Sequence, residues 1–85
     1  MNDLNDLRID IDSIDEEILN LLVKRLRFVK EIGKYKKEHS LSVIDKNREH
    51  EIIQILKKKA KKANISKSLV KAVWKAIFKE SYSKE

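Results

Sequence analysis

The sequence predicts an all-α protein with one long N-terminal helix and two shorter helices. Its 85 residues contain no Pro and a single Gly, so few residues interrupt a helix. Hydrophobic residues make up 41% and charged residues 40%, which is typical of amphipathic helices rather than of disordered chains. Apolar residues recur at helical spacing, and no segment shows the alternation of a strand. A chain of this length forms one domain, which we expect over residues 1–85.

The first helix is expected over residues 3–38. Its apolar residues are spaced alternately three and four positions apart, as in the seam of a coiled coil. This apolar seam consists of Leu4, Leu7, Ile11, Ile14, Ile18, Leu21, Phe28, Ile32 and Tyr35. Arg25 occupies the position between Leu21 and Phe28 where the pattern requires an apolar residue.

The length of this helix predicts a homodimer. The helix would measure about 54 Å at 1.5 Å per residue. A compact domain of this size has a radius of gyration of only about 12 Å. A partner chain along the apolar seam would cover the part that overhangs, and a twofold dimer is the most common arrangement.

Two shorter helices follow a loop at residues 39–44. Asp45 is expected as the N-cap of a helix over residues 46–63, and Ser66 as the cap that begins a helix over residues 66–84. The predicted buried faces consist of Ile52, Ile55, Leu56, Ala60 and Ala63 in the second helix and of Val70, Val73, Trp74, Ile77 and Phe78 in the third.

The composition narrows the class of protein. Without Cys, the chain forms neither disulfides nor thiolate metal sites. The acidic, polar N-terminus is unlike a signal peptide, and no apolar run approaches the roughly 18 residues of a membrane span. We therefore expect a cytoplasmic protein that does not bind membranes.

A net charge of +6 favours an anionic partner, either nucleic acid or a small polycarboxylate. Four lysines recur every fourth residue on one face of the third helix, namely Lys67, Lys71, Lys75 and Lys79. The simplest interpretation is a solvated face. Because aromatic residues for base stacking are scarce, we expect no nucleic-acid partner.

Polar side chains interrupt or extend the buried faces. Arg25 interrupts the apolar seam, and Lys36 lies eleven residues later, close to three helical turns, so both point in nearly the same direction. In the third helix, Ser81 and Glu85 continue the stripe of Ile77 at a spacing of four. Together these positions indicate a polar cavity between helices.

Arg48 and Glu49 begin the second helix on its apolar side. Burying cations without counter-charges is very unfavourable. Since Glu49 can neutralise only one of Arg25, Lys36 and Arg48, we predict a cavity with surplus positive charge that binds a dianion.

Each of these residues also has a structural interpretation. Arg25 could pair with a carboxylate of a partner helix, and Lys36 could extend to solvent along the surface. Arg48 could be ordinary surface charge, and Ser81 and Glu85 could belong to an exposed helix end. Their joint occurrence favours the ligand site.

Arg8 is too far away to join this site within one chain. Along a straight helix it lies roughly 25 Å from Arg25 and roughly 42 Å from Lys36. In an antiparallel dimer, the N-terminal part of one long helix passes the middle of the other, so Arg8 could enter the partner's cavity. The alternative is an ion pair with Asp12 within its own helix.

Several motifs resemble the AroQ-type, all-helical chorismate mutases, in the order and at the spacing of that family. They are Leu7-Arg8, Asp12-x-x-Asp15, Leu21-Leu22-x-x-Arg25, Glu31-Ile32-Gly33-Lys34-x-Lys36, Ile44-Asp45-x-x-Arg48-Glu49, and Glu80-Ser81 followed by Glu85. The resemblance implies an intertwined homodimer that rearranges chorismate to prephenate in phenylalanine and tyrosine biosynthesis. It also implies that no metal or cofactor is needed.

By this resemblance, Arg8 from the other subunit and Arg25 hold the substrate's carboxylates, while Lys36 bonds the ether oxygen and a carboxylate. Lys36, Arg25 and Glu85 are thereby the candidate catalytic residues. Many family members have Gln at the position of Glu85, where its amide donates to the ether oxygen. An ionised carboxylate cannot donate, so we expect activity to rise toward acidic pH.

The resemblance also places Asp45, Arg48 and Glu49 around the ring hydroxyl and Ser81 beside a carboxylate. An isochorismate-pyruvate lyase of the same fold is the nearest alternative, but these hydroxyl-binding residues suit the mutase better. A basic nucleic-acid-binding module and a purely structural dimerisation domain are further alternatives. The last of these leaves Arg25 and Lys36 without a role.

Overall fold

A computed structural model describes residues 3–85, which form three α-helices. These are α1 (Leu4–Glu38), α2 (Lys46–Lys62) and α3 (Lys67–Lys84). No strand occurs within residues 3–85, so the all-α prediction is confirmed. None of the three helices has the length and apolar character of a bilayer-spanning segment. Residues 1 and 2 of the predicted domain lie outside the described residues.

Polar side chains cap all three helices at their N-termini. Asp3 caps α1, Asp45 accepts a hydrogen bond from the Arg48 amide at 3.0 Å, and Ser66 accepts one from the Leu69 amide at 3.0 Å. Each cap satisfies an amide that has no partner inside its helix. The predictions for Asp45 and Ser66 are confirmed.

The ends of α1 and α2 close with the same backbone motif. Ser40 and Asn64 adopt left-handed conformations with φ of 54° and 62°. The next residue then bonds back into the helix, from the Leu41 amide to the Lys36 carbonyl at 2.8 Å and from Ile65 to Ala60 at 2.9 Å. These closures satisfy helix-end carbonyls and turn the chain sharply.

The central element is α3, which packs against both α1 and α2. The buried side chains at these contacts are few and mostly small: Val29 of α1, Ala60 of α2, and Val70, Phe78 and Ser81 of α3. The backbone of Gly33 is also buried. One chain therefore has only a thin core.

The apolar seam of α1 remains exposed in a single chain. Leu7 is 49%, Ile14 49% and Leu21 64% exposed. The chain extends over 57 × 25 × 15 Å with a radius of gyration of 16.3 Å, against about 12 Å for a compact domain of this length. The long helix thus overhangs, as its predicted length required, and the homodimer remains a prediction.

The predicted buried faces of α2 and α3 are wider than the faces that are buried within one chain. Ile55 is 46% and Val73 40% exposed, and Ala63 is also exposed. On α1, the buried positions Val29 and Gly33 lie beside the apolar seam rather than on it. Much of each predicted face stays exposed because α3 covers only one narrow side of α1 and of α2.

Candidate active site

A cavity of about 330 Å³ lies where the three helices come together. Its apolar wall consists of Val29, Ile32, Ile52 and Phe78. Its polar lining consists of Arg25 and Lys36 from α1, Asp45, Arg48 and Glu49 from the start of α2, and Ser81, Tyr82 and Glu85 from the end of α3. Every predicted site residue except Arg8 therefore lines this one cavity.

A larger hollow of about 590 Å³ lies between α2 and α3 on another side of the chain. It is a shallower surface feature, and its cations are lysines, including Lys57, Lys71 and Lys75. No residue of α1 reaches it. The three-helix cavity, which is more enclosed and chemically more diverse, is the better candidate site.

Arg25 is held in the cavity by a hydroxyl group. Its Nη1 donates a hydrogen bond of 2.5 Å to Ser81 Oγ, which in turn donates to the Ile77 carbonyl at 2.7 Å. Ser81 is only 5% exposed. Within residues 3–85, Arg25 forms no ion pair with a carboxylate. Its orientation is therefore fixed while its charge remains available to an anion.

Lys36 and Glu85 form a buried ion pair beside Arg25. The ammonium Nζ lies 2.6 Å from Glu85 Oε1, and the two side chains are 14% and 4% exposed. The same ammonium donates to the Val43 carbonyl at 2.5 Å. Despite the short distance, the contact with Oε1 lacks hydrogen-bond geometry, and no other donor within residues 3–85 bonds this buried oxygen. Glu85 Oε1 therefore remains able to accept a hydrogen bond at the cavity wall.

Gly33 allows the end of α3 to come this close to α1. A Cβ atom at residue 33 would lie 2.6 Å from the backbone oxygen of Glu85 and 2.8 Å from its Cα. These distances are shorter than real Cβ contacts, and both atoms belong to the backbone. The absence of a side chain at Gly33 is therefore a condition for bringing Glu85 to Lys36.

At the other end of the cavity, Tyr82 joins α3 to the start of α2. Its hydroxyl donates to Glu49 Oε2 at 2.7 Å and accepts from the Asp45 amide at 3.2 Å. Burial raises the pKa of the Tyr82 phenol above its usual value of 10.0, and the hydrogen bond to Glu49 acts in the same direction. The sequence prediction missed Tyr82, although its spacing of four from Phe78 places both on one face of α3.

Two predicted residues do not direct their charge into the cavity of a single chain. Arg48 lines the cavity, but its side chain is 58% exposed and its guanidinium pairs with Glu51 on the surface of α2. Arg8 is exposed on α1, seventeen residues before Arg25, which corresponds to roughly 25 Å along the helix.

The prediction of surplus positive charge is wrong for a single chain. The cations lining the cavity are Arg25, Lys36 and Arg48, and the carboxylates are Asp45, Glu49 and Glu85. Even when the outward-directed Arg48 is counted, their formal charges only cancel. The prediction counted Glu49 alone, whereas the fold also brings the Asp45 and Glu85 carboxyl groups to the same wall.

The fold and this cavity define an all-helical protein with a small polar ligand site. The chain belongs to the chorismate mutase type II family, whose model matches residues 7–85. This agrees with the resemblance found in the sequence.

Two longer proteins contain a segment similar to this chain. The T-protein of Haemophilus influenzae is 40% identical over 85 residues, covering all of this chain and 22% of its own length. The T-protein of Enterobacter agglomerans is 34% identical over 83 residues, covering 98% of this chain and 22% of its own length.

A third relative carries an explicit activity in its name. The bifunctional chorismate mutase/prephenate dehydratase of Aquifex aeolicus is 44% identical over 54 residues, which is 64% of this chain and 15% of that protein. The chain thus spans about a fifth of the length of the two T-proteins. No solved structure matches it.

Proposed function

We propose that this chain catalyses the rearrangement of chorismate to prephenate. The observation that carries the proposal is the convergence of Arg25, Lys36, Glu49 and Ser81 from three helices on one cavity. The reaction is a unimolecular [3,3] shift in which the ether C–O bond breaks while a C–C bond forms. Family membership and the mutase named in the Aquifex aeolicus relative support this choice.

Arg25 is suited to hold one of the two substrate carboxylates. Its guanidinium is oriented by Ser81 and has no carboxylate partner among the described residues. A guanidinium binds a carboxylate through two parallel hydrogen bonds. Fixing the carboxylates holds the compact conformer in which the two reacting carbons are close together.

Lys36 is suited to stabilise the negative charge that develops on the ether oxygen. An ammonium group has three N–H donors. One bonds the Val43 carbonyl, and the contact with Glu85 Oε1 lacks hydrogen-bond geometry, so donor capacity remains for the substrate. Because the loop and Glu85 fix the cation beforehand, little reorganisation is needed in the transition state.

We further propose that the active form is a homodimer in which Arg8 of each chain enters the cavity of the other. The exposed apolar seam of α1 offers the surface for this contact. The formal charges that line one chain's cavity cancel, which gives a reason for a partner's arginine to enter it. A dianion is better balanced when a further arginine arrives from the partner.

The experiment is an assay of chorismate consumption and prephenate formation by the wild type, Lys36→Ala and Lys34→Ala. Removal of a preorganised oxyanion donor typically lowers kcat about 10²–10³-fold, and we expect at least this loss in Lys36→Ala. Lys34 is exposed on the same helix and does not line the cavity, so Lys34→Ala should behave like the wild type.

Near-normal turnover by Lys36→Ala would contradict the role of Lys36. A wild type that leaves chorismate unchanged would contradict the function itself. Parallel incubation with isochorismate tests the lyase alternative, because that reaction releases salicylate instead of prephenate.

A further inference from the structure

The hydroxyl of Tyr82 connects two segments that are far apart in the sequence. It donates to Glu49 Oε2 at 2.7 Å, across 33 residues, and accepts from the Asp45 amide at 3.2 Å, across 37 residues. The Asp45 carbonyl, 3.4 Å away, is the weaker competitor for the phenolic proton. The short bond therefore ties the end of α3 to the Glu49 carboxylate.

This bond orients the carboxylate of Glu49. The other group near Glu49 is Lys46 Nζ, 3.5 Å from the same Oε2 atom, on a side chain that is 81% exposed. Such a surface contact contributes little. Both contacts use Oε2, so within residues 3–85 Oε1 has no hydrogen-bond donor. Tyr82 thus holds one carboxylate oxygen and leaves the other available to a ligand.

The ring of Tyr82 also faces the cation at the opposite end of the cavity. Lys36 Nζ lies 5.7 Å from the ring centroid, a distance at which a cation is attracted to an aromatic face. One side chain therefore contacts both the Lys36 ammonium and the Glu49 carboxylate.

We propose that Tyr82 is a positioning residue that directs Glu49 Oε1 toward the ring hydroxyl of the substrate. This inference rests on the proposed function and assigns recognition of the hydroxyl end to a Tyr82–Glu49 pair. The hydroxyl does not react, so its binding contributes equally to the ground state and the transition state. Loss of such uniform binding raises KM and leaves kcat nearly unchanged.

The experiment compares the wild type with Tyr82→Phe, which removes one oxygen atom and preserves the ring. The steady-state kcat and KM for chorismate are measured separately, with circular dichroism as a check of the fold. We expect KM to rise about tenfold, as for loss of a hydrogen bond to a charged group, while kcat changes by less than about twofold.

A chorismate analogue with hydrogen in place of the ring hydroxyl separates positioning from a general structural role. Its inhibition constant against chorismate turnover is measured for both proteins. If Tyr82 acts through the substrate hydroxyl, Tyr82→Phe should weaken binding of chorismate but not of the analogue. Equal weakening of both ligands would overturn the proposal, as would unchanged kinetics with chorismate.

Ser83→Ala, which also removes one hydroxyl group from α3, is the matched control. Ser83 is exposed, lies outside the cavity and donates to the Glu80 carbonyl at 2.7 Å, so this variant should retain the wild-type KM. A wild type without chorismate turnover would contradict the proposed function and, with it, this inference. An active wild type with an unaffected Tyr82→Phe variant would contradict only the role of Tyr82.

Discussion

At the scale of single residues, Glu85 presents an acceptor where the proposed reaction needs a donor. Its Oε1 faces the Lys36 ammonium at 2.6 Å, whereas an ether oxygen only accepts hydrogen bonds. Glu85 can donate to that oxygen only when it is protonated. The proton on this one side chain therefore links the rate to pH.

The corresponding prediction concerns Glu85→Gln. A glutamine amide donates at every pH, so the rise in kcat/KM toward acidic pH that is expected of the wild type should be absent in the variant. Initial rates of chorismate consumption in buffers of constant ionic strength measure both profiles. Glu80→Gln, at an exposed residue paired with Lys84, should retain the wild-type profile. A flat wild-type profile would contradict this role for Glu85.

The sequence could identify Arg25 and Lys36 as site residues because charged residues on an apolar face are conspicuous. Tyr82 is different, since an aromatic residue on an apolar stripe is most simply interpreted as core. Its function depends on contacts with Asp45 and Glu49 that only the packing of α3 against α2 creates. The outward direction of Arg48 matches its interpretation as surface charge, and its partner Glu51 lies only three residues later on the same helix.

At the scale of helices, α1 has two separate contact faces. Its long apolar seam follows a regular spacing that the sequence displays clearly. The face that contacts α3 is shorter and is centred on Val29 and Gly33. A glycine contributes nothing to a hydrophobic pattern, so this second face could not be recognised by periodicity.

Gly33→Ala distinguishes packing from intrinsic helix propensity. In an exposed helix interior, Ala is more stable than Gly by about 1 kcal/mol. Here the added Cβ would meet the Glu85 backbone at 2.6 Å, so α3 must shift. We expect a loss of about 1–3 kcal/mol in the free energy of unfolding, as for other overpacked sites.

Urea denaturation measures the stability change of Gly33→Ala, and a turnover assay should show lower kcat because Glu85 moves away from Lys36. Lys37→Ala, at an exposed position of the same helix, is the control for the general effect of alanine. Increased stability with normal turnover in Gly33→Ala would show that the close contact is unimportant.

At the scale of the whole molecule, the proposed dimer makes a quantitative prediction about mixed subunits. Arg8→Ala and Arg25→Ala should each be nearly inactive alone. In a mixed dimer of the two, one site combines the intact Arg25 of one chain with Arg8 of the partner subunit. An equimolar mixture with random pairing should therefore recover about a quarter of the wild-type sites.

Refolding the mixture from urea allows the subunits to exchange, and kcat/KM then measures the recovery. The control mixes the wild type with an Arg8→Ala/Arg25→Ala double variant, whose mixed dimers contain no complete site. If Arg8 acts within its own chain, the first mixture should show no recovery. Sedimentation of the same samples reports the oligomeric state independently.

The sequence predicted the overhanging helix, because helix length follows directly from residue count. It failed on the charge of the cavity, since only Glu49 was counted against the cations although the carboxyl groups of Asp45 and Glu85 line the same cavity. Local and periodic features were therefore accessible from the sequence, and the balance of charges at a shared surface was not.

The central position of α3 has a mechanical consequence for the site. Ser81, Tyr82 and Glu85 lie at one end of α3, where Ser81 and Glu85 contact α1 and Tyr82 contacts α2. Sliding α3 along its axis by one residue would displace all three by about 1.5 Å at once. A change in side-chain volume at buried Val70, about 16 Å from Ser81 along the axis, can therefore alter all three of these contacts without contacting the substrate.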